Sequence, residues 1–189
     1  AEEWLQGDQF DAVMNYIFCW ATLTFCGAET LRPDYQRNHL SLKPRDAPAF
    51  AEVITYMMGL YDWEITQVQL NLLGSHDMAR PLWIMGDDAS AMKLSVLFQM
   101  TMPGAPCIYY GDEIGLSAGD DPECREAFPW DDEGRWRHDV LEWVRAAARL
   151  RHTYAVLRTG HFAIRKAEGT LFVFDRRLPE AASPTEAMV

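Results

Sequence analysis

Short apolar runs alternate with longer segments of helical spacing along most of the chain. Three of these runs predict buried strands, at residues 8–18, 68–77 and 107–110. The first is too short for a helix and is rich in residues that favour β-structure. Strands that are apolar along their whole length are typical of a parallel sheet covered on both faces.

The segments between the runs carry helix-capping residues and helical periodicity. Asp46, with Pro48 just behind it, predicts the start of one helix. Asp87-Asp88 can cap a second helix over residues 89–102, which Pro103-Gly104 would end. Apolar residues recur at helical intervals at positions 50, 53, 54, 57, 58 and 61 and at positions 140, 143, 144, 147 and 150. Because strand and helix alternate three times, the sequence predicts an α/β fold with a parallel sheet.

Polar residues follow each predicted strand. They are Asn15-Tyr16, His76-Asp77 and Gly111-Asp112-Glu113. In a barrel or an open sheet, functional side chains collect at the C-terminal ends of the parallel strands. We therefore expect these three groups to lie at one edge of the sheet and to form the functional site.

The pattern changes towards the end of the chain. Residues 161–166 and 170–177 predict two short strands, and Glu168-Gly169 between them is typical of a hairpin turn. Residues 117–136 are polar and predict a long loop. The small and polar residues 178–189 predict a linker or a frayed end.

Charge and composition limit the possible partners and compartments. The formal net charge of −11 and the pI of about 4.8 disfavour nucleic acids and anionic membrane surfaces. No apolar run reaches the roughly 18 residues that span a bilayer, and AEEWLQGDQF at the start does not resemble a signal peptide. The four cysteines form no C-x-x-C pair, and we expect free thiols in a reducing compartment, the cytoplasm. They are Cys19, Cys26, Cys107 and Cys124.

The His76-Asp77 pair has three possible roles. It could supply two ligands to a divalent metal, place a hydrogen-bonding imidazole beside a carboxylate, or cap backbone groups at the end of a strand. A metal site needs more ligands, and the other histidines are predicted in loops or on polar helix positions, so we expect no metal and no other cofactor. These histidines are His39, His138, His152 and His161.

The predicted loops are rich in aromatic residues, and one loop also pairs a carboxylate with a guanidinium. The loop tryptophans are Trp4, Trp63, Trp83, Trp130 and Trp136. Aromatic faces and polar side chains together suit a carbohydrate, whose rings have apolar faces and hydroxyl edges, although the same rings could simply pack loops onto the sheet. Asp121 and Arg125 could pair with each other or grip hydroxyls, and the sequence leaves both roles open.

Four stretches occur together in one order along the chain. They are AEEWLQGDQFDAVMNY at 1–16, LNLLGSHDMAR at 70–80, MPGAPCIYYGDEIGL at 102–116 and DPECREAFPWD at 121–131. Together they resemble the α-amylase family of glycoside hydrolases, most closely its neopullulanase, cyclomaltodextrinase and maltogenic amylase group. The resemblance implies the C-terminal part of a (β/α)8 barrel, about strands six to eight, in residues 1–157. It places the start of an antiparallel β domain in residues 158–189.

The resemblance also implies an activity and a set of site residues. Enzymes of this family are retaining hydrolases of α-1,4- or α-1,6-linked glucans and cyclomaltodextrins, with a nucleophilic carboxylate and a carboxylic acid about 5–5.5 Å apart. A third carboxylate, which matches Asp77, stabilises the transition state by hydrogen bonds to the sugar ring. His76 matches a residue that binds hydroxyls of the same ring, and Asp121 and Arg125 match positions that hold the non-reducing side of the substrate.

The sequence departs from the family pattern in one important respect. The nucleophile of the family lies in a G-x-R-x-D stretch and the acid in a G-E-x-W stretch, and neither stretch occurs in the 189 residues. We therefore expect the isolated chain to be inactive. The open sheet edges of a partial barrel predict self-association. The alternative is a non-catalytic carbohydrate-binding or interaction module derived from the same family.

Overall fold

The computed structural model of the chain describes residues 2–6, 8–37 and 40–178. His39 and most of the predicted C-terminal linker, residues 179–189, lie outside these described residues. The helices are α1 (Tyr16–Cys26), α2 (Ala47–Met58), α3 (Trp63–Thr66), α4 (Pro81–Ile84), α5 (Ala89–Thr101), α6 (His138–Thr153) and α7 (Ala155–Thr159). The strands are β1 (Gln36–Arg37), β2 (Leu40–Ser41), β3 (Leu70–Leu72), β4 (Ala105–Cys107), β5 (His161–Glu168) and β6 (Leu171–Arg177).

A short parallel sheet lies at the centre of the chain. β3 and β4 pair in parallel, with Leu70 opposite Ala105 and Leu72 opposite Cys107. Met14 forms a parallel bridge to Leu70 on the other side of β3. Three successive chain segments thus lie side by side and run in one direction, as the alternation of strand and helix predicted.

The first predicted strand, residues 8–18, is wrong over most of its length. Only Met14 forms a bridge, and the apolar residues from Tyr16 onward belong to α1, a helix that the sequence pattern did not predict. The Asn15 side chain accepts a hydrogen bond from the Phe18 amide at 3.1 Å, so it ends the strand pairing and caps the helix. Because α1 is apolar on nearly every side, its sequence shows no helical periodicity.

The third predicted strand is displaced along the chain. Pairing covers Ala105–Cys107 rather than residues 107–110, and the side chains of Ile108 and Tyr110 are exposed. The sequence here is typical of a loop, because it contains Pro103, Gly104 and Pro106. Pro106 nevertheless pairs opposite Asn71 in the sheet.

Both predicted helix caps are confirmed. The Asp46 carboxylate accepts a hydrogen bond from the Ala49 amide at 2.9 Å at the start of α2. The Asp88 carboxylate accepts hydrogen bonds from the Ser90 and Ala91 amides at the start of α5. Such caps satisfy backbone amides that have no partner within the helix. The amphipathic stripe at positions 140–150 is also confirmed, because it belongs to α6.

The predicted hairpin is confirmed and packs into the same core as the helices. β5 and β6 pair antiparallel from His161 opposite Arg177 to Glu168 opposite Leu171, and Gly169 in the turn has a φ of 56°. Ring centroids of core phenylalanines lie 4.5 to 5.3 Å apart, in the pairs Phe25–Phe50, Phe50–Phe172 and Phe50–Phe98. These rings join α1, α2, α5 and β6, and the buried rings of Phe50 and Phe98 contribute about 1.5–3 kcal/mol each. In the described part of the chain, no helix has the length and apolarity needed to cross a bilayer.

Candidate active site

The loop after β3 begins with a network of hydroxyl groups that reaches Asp77. The Tyr16 hydroxyl lies 2.9 Å from the Ser75 hydroxyl, and Ser75 Oγ accepts a hydrogen bond from the Asp77 amide at 3.1 Å. Tyr16 stands at the first predicted strand end and Ser75 precedes the His76-Asp77 pair at the second. The ends of two neighbouring strands are therefore in contact, as their parallel arrangement predicted.

Asp77 is a half-exposed carboxylate between two nitrogen donors. Its Oδ1 lies 3.3 Å from His76 Nε2 and 4.0 Å from Arg125 Nη2. The side chains of all three residues are between 47% and 59% exposed, so a ligand can reach them. An accessible carboxylate flanked by an imidazole and a guanidinium offers both acceptors and donors to a ligand that is rich in hydroxyl groups.

Arg125 connects this pair to the loop at residues 117–136. Its Nε donates a hydrogen bond to the His76 carbonyl at 2.9 Å and lies 3.2 Å from Asp121 Oδ1. The pairing of Asp121 with Arg125 that the sequence left open therefore exists, and it does not keep Arg125 away from Asp77. The structure brings together all four site residues that the sequence predicted: His76, Asp77, Asp121 and Arg125.

A second attachment between the same two loops was not predicted. The Asp120 carboxylate accepts hydrogen bonds from the Ala79 amide at 2.9 Å and from the Tyr35 hydroxyl at 3.4 Å. Asp120 and Arg125 thus bind the loop after β3 at two separate points. Double attachment restricts the position of His76 and Asp77 relative to Arg125.

Behind the exposed residues lies a buried ion pair between Arg80 and Asp112. Arg80 Nη1 donates to Asp112 Oδ1 at 2.9 Å and also to the Tyr110 carbonyl. The guanidinium lies over the rings of Tyr109 and Tyr110, 4.4 and 4.8 Å from their centroids. Asp112 was predicted to lie at a strand end, but no role was predicted for Arg80. The sequence feature that could have indicated a buried arginine is its position within the apolar stretch MARPLWIM.

This buried pair is close-packed and incompletely hydrogen-bonded. A Cβ on Gly74 would lie 2.3 Å from Asp112 Oδ2, so the carboxylate needs a glycine there. Arg80 Nε, Arg80 Nη2 and Asp112 Oδ2 are buried without a hydrogen-bond partner in the described residues. Burial raises the pKa of Asp112 to about 7, although the neighbouring Arg80 acts to lower it. The site loop therefore rests on a carboxyl group that titrates near neutral pH.

The other residues considered from the sequence lie elsewhere. Trp63 is in α3 with its ring 5.1 Å from that of His161, and Trp83 is in α4 with its ring 5.7 Å from that of Tyr35. These two tryptophans are in short helices rather than loops. Their rings pack against other aromatic rings, and the Arg32 guanidinium lies 4.4 Å from the centroid of the Trp83 ring. Within residues 2–6, 8–37 and 40–178, no group of three or more His, Cys, Asp or Glu side chains is arranged to hold a metal ion.

Comparison with known proteins identifies the family. The model described as alpha amylase, catalytic domain, matches residues 1–159. The chain is 40% identical over 168 residues to the cyclomaltodextrinase of Geobacillus thermopakistaniensis, covering 89% of this chain and 26% of that protein. It is 37% identical over 161 residues to neopullulanase 2 of Thermoactinomyces vulgaris, covering 85% of this chain and 25% of that protein.

Solved structures agree with this match. The debranching enzyme of Nostoc punctiforme superposes with a TM-score of 0.87 at 40% identity, covering 95% of this chain and 37% of that one. The chain spans about a quarter of the length of the two curated relatives. Since the family model matches 159 of the 189 residues and the fold agrees closely with that of a relative, the chain belongs to the α-amylase family of glycoside hydrolases.

Proposed function

We propose that this chain supplies the C-terminal part of the active site of a retaining α-glucan hydrolase. The observation that carries the proposal is the convergence of Asp77, His76, Arg125 and Asp121 at the C-terminal ends of parallel strands in a chain of this family. The substrate is an α-1,4- or α-1,6-linked glucan or a cyclomaltodextrin. Relatives named cyclomaltodextrinase and neopullulanase support this substrate class.

Asp77 acts as the transition-state stabiliser in this proposal. Its contacts with His76 and Arg125 both involve Oδ1, which leaves Oδ2 to accept hydrogen bonds from sugar hydroxyls. Such bonds strengthen as positive charge develops on the sugar ring, so they lower the barrier more than they stabilise the ground state. His76 donates to a hydroxyl of the same ring, while Asp121 and Arg125 hold the non-reducing side.

We further propose that Met14, β3 and β4 correspond to the sixth, seventh and eighth strands of a (β/α)8 barrel. Residues 1–157 then belong to the barrel, and residues 158–189 begin an antiparallel β domain. Support comes from the parallel order of these three segments and from the antiparallel hairpin that starts at His161. A whole barrel takes about 250 residues, so residues 1–157 are long enough for a part of one.

The isolated chain is inactive and self-associates in this proposal. A retaining mechanism needs a nucleophile and an acid about 5–5.5 Å apart, and the stretches that carry them in the family do not occur in the sequence. In the described residues β4 pairs only with β3. The large side chains of Ile108 and Tyr110, just after β4, and of Met14, which bridges to Leu70 of β3, are exposed. The free thiols of the four cysteines support a reducing compartment, the cytoplasm.

Release of reducing sugar from maltoheptaose and cyclomaltohexaose tests the proposal. The assay compares the 189-residue chain with a version extended upstream by its own coding sequence through the segment that carries the nucleophile and the acid in this family. We expect activity in the extended version alone, and oligomers of the short chain in sedimentation. The enzyme proposal is contradicted if the extended version binds glucan without hydrolysing it, which would favour a carbohydrate-binding module. Hydrolysis by the short chain would contradict the assigned roles.

A further inference from the structure

Trp130 is unusually exposed for a large aromatic side chain. It is 73% exposed, more than any other exposed large apolar residue of the described chain. Scattered exposed apolar residues need no explanation. An indole that is 73% exposed and that packs against further aromatic rings in the site loop is, however, a candidate binding surface. Trp130 lies five positions after Arg125, in the loop that is attached to His76.

The ring of Trp130 is supported from behind by other aromatic rings. Its centroid lies 4.2 Å from that of Phe128, and the centroid of Phe128 lies 5.6 Å from that of Trp136. The Trp136 indole donates a hydrogen bond to the Pro129 carbonyl at 3.0 Å. Three rings thus form one aromatic cluster, in which Phe128 is tilted by 38° from Trp130 and meets Trp136 edge-on at 73°. Phe128 and Trp136 are half-buried, and Trp130 is exposed. Such packing fixes the outer ring before a ligand arrives and lowers the entropy cost of binding.

The segment that carries these rings, residues 126–136, is closed by an ion pair near its two ends and is linked to the site. We call it the aromatic lobe. Arg135 Nη2 and Glu126 Oε2 close its base at 2.5 Å. The Tyr110 hydroxyl donates to the Glu126 carbonyl at 2.7 Å, and the ring of Tyr110 also contacts the buried Arg80 guanidinium. The lobe therefore starts one residue after Arg125 and is linked to the loop after β4.

We propose that Trp130 is a stacking platform for a glucose ring of an α-glucan, beyond the ring held by His76 and Asp77. A pyranose presents an apolar C–H face that suits an indole, and its hydroxyls lie at the edge of that face. The exposed carboxylates of Asp131, Asp132 and Glu133 stand beside the indole in sequence and can accept hydrogen bonds from those hydroxyls. The same acidic residues disfavour a phosphate-bearing ligand.

The identity of this ligand rests on the proposed function, but its binding does not require catalysis. Binding can therefore be measured on the 189-residue chain itself. Isothermal titration with maltoheptaose compares the unchanged chain with Trp130→Ala, Trp130→Phe and Trp143→Ala. Trp143 is the control for loss of a tryptophan outside the aromatic lobe, because it lies on α6 and is 39% exposed. Its indole donates a hydrogen bond to the Lys93 carbonyl at 2.7 Å, so its variant also needs the stability comparison. Equal melting temperatures and sedimentation profiles for the four proteins establish that fold and assembly are unchanged.

We expect Trp130→Ala to weaken maltoheptaose binding about tenfold, which corresponds to about 1.4 kcal/mol. Trp130→Phe retains most of the affinity because it keeps a ring at the position, and Trp143→Ala binds like the unchanged chain. In an NMR titration of the unchanged chain, the indole N–H signal that Trp130→Ala removes should shift on addition of maltoheptaose.

Three results would overturn the platform: no binding by the unchanged chain, equal weakening by the Trp130 and Trp143 variants, or a Trp130 variant that alters only the oligomeric state. The last result would identify the lobe as a contact between copies of the chain. The hydrolysis assay separates these outcomes from a failure of the proposed function. If the upstream-extended protein hydrolyses glucan but Trp130→Ala binds maltoheptaose as tightly as the unchanged chain, the platform fails and the proposed function stands. If glucan binds through Trp130 and no extended version hydrolyses it, the proposed function fails and the platform stands.

Discussion

In the described part of the chain, two arginine side chains are almost completely buried, and they are stabilised in different ways. Arg80, behind the site loop, pairs with the carboxylate of Asp112, and two of its three guanidinium nitrogens have no hydrogen-bond partner among the described residues. Arg176, at the junction of the hairpin and the helices, binds backbone carbonyls. Its three nitrogens donate to Gly160, Thr101 and Leu157 at 2.5 to 3.1 Å.

The difference follows from the chemistry of the acceptors. Thr101 is the last residue of α5, where carbonyls lack partners within the helix and a positive charge is favourable. These carbonyls do not titrate. Burial and the nearby Arg151 lower the pKa of Arg176 to about 10, so its guanidinium stays charged at neutral pH. Asp112, in contrast, can gain a proton near pH 7. The hairpin junction around Arg176 is therefore fully hydrogen-bonded and insensitive to pH. The Arg80–Asp112 pair behind the site is incompletely hydrogen-bonded and sensitive to pH.

The largest effect is expected from Arg176→Met. The substitution removes a guanidinium that satisfies carbonyls of three residues, one at the end of α5 and two at the end of α7, so we expect a loss of about 3 kcal/mol or more in the free energy of unfolding. Because no carboxylate is involved, the loss should be equal at pH 5 and pH 8. Urea denaturation at both values measures it.

The neighbouring Arg177 provides the control for this substitution. Its side chain is exposed, and Arg177→Met should change the unfolding free energy by no more than about 0.5 kcal/mol. Equal losses for the two variants would contradict a special role for Arg176. If the loss in unfolding free energy caused by Arg176→Met depended markedly on pH, the Arg176 junction would not differ from the Arg80–Asp112 pair in its pH sensitivity.

A pH-dependent effect is expected from Asp112→Asn. The unfolded chain ionises Asp112 at its ordinary pKa near 3.8, whereas the folded chain retains the proton up to about pH 7. Between these values the folded state binds more protons, so the contribution of Asp112 to stability falls as the pH rises. Asp112→Asn removes this dependence and becomes more stable relative to the unchanged chain as pH increases.

Denaturation of both proteins at pH 4, 5, 6, 7 and 8 tests this expectation. The difference in unfolding free energy should change by an amount on the order of a few kcal/mol over the series. A difference that stays constant would show that Asp112 has the same pKa in the folded and unfolded states. A difference of opposite sign would show that Arg80 holds the carboxylate charged in the folded state.

The sequence predicted most of the local structure and misjudged one whole helix. The helix starts at Asp46 and Asp88 depend on hydrogen bonds to nearby amides, and the turn at Gly169 depends on its own backbone conformation. These roles could therefore be predicted from nearby residues. α1 could not be predicted in this way, because a helix that is buried on nearly all sides has no polar face to reveal its period. Pairing of β4 depends on β3, which lies more than thirty residues earlier.

The same reasoning applies to the site. His76, Asp77, Asp121 and Arg125 could be found because they lie in short characteristic stretches of the sequence. Arg80 was missed because its partner Asp112 lies 32 positions away, and nothing local to either residue reveals the pair. The attachment of Asp120 to the Ala79 amide, 41 positions apart, was missed for the same reason.

The central claim is that Asp77 stabilises the transition state of glucan hydrolysis, and it is tested most directly by kcat. In the upstream-extended protein, Asp77→Asn is compared with Glu142→Gln, a substitution of a similarly exposed carboxylate on α6. We predict that Asp77→Asn lowers kcat for maltoheptaose by about a hundredfold or more at an unchanged melting temperature, and that Glu142→Gln leaves kcat unaltered. An Asp77→Asn protein that kept the kcat of the unchanged enzyme would contradict the account.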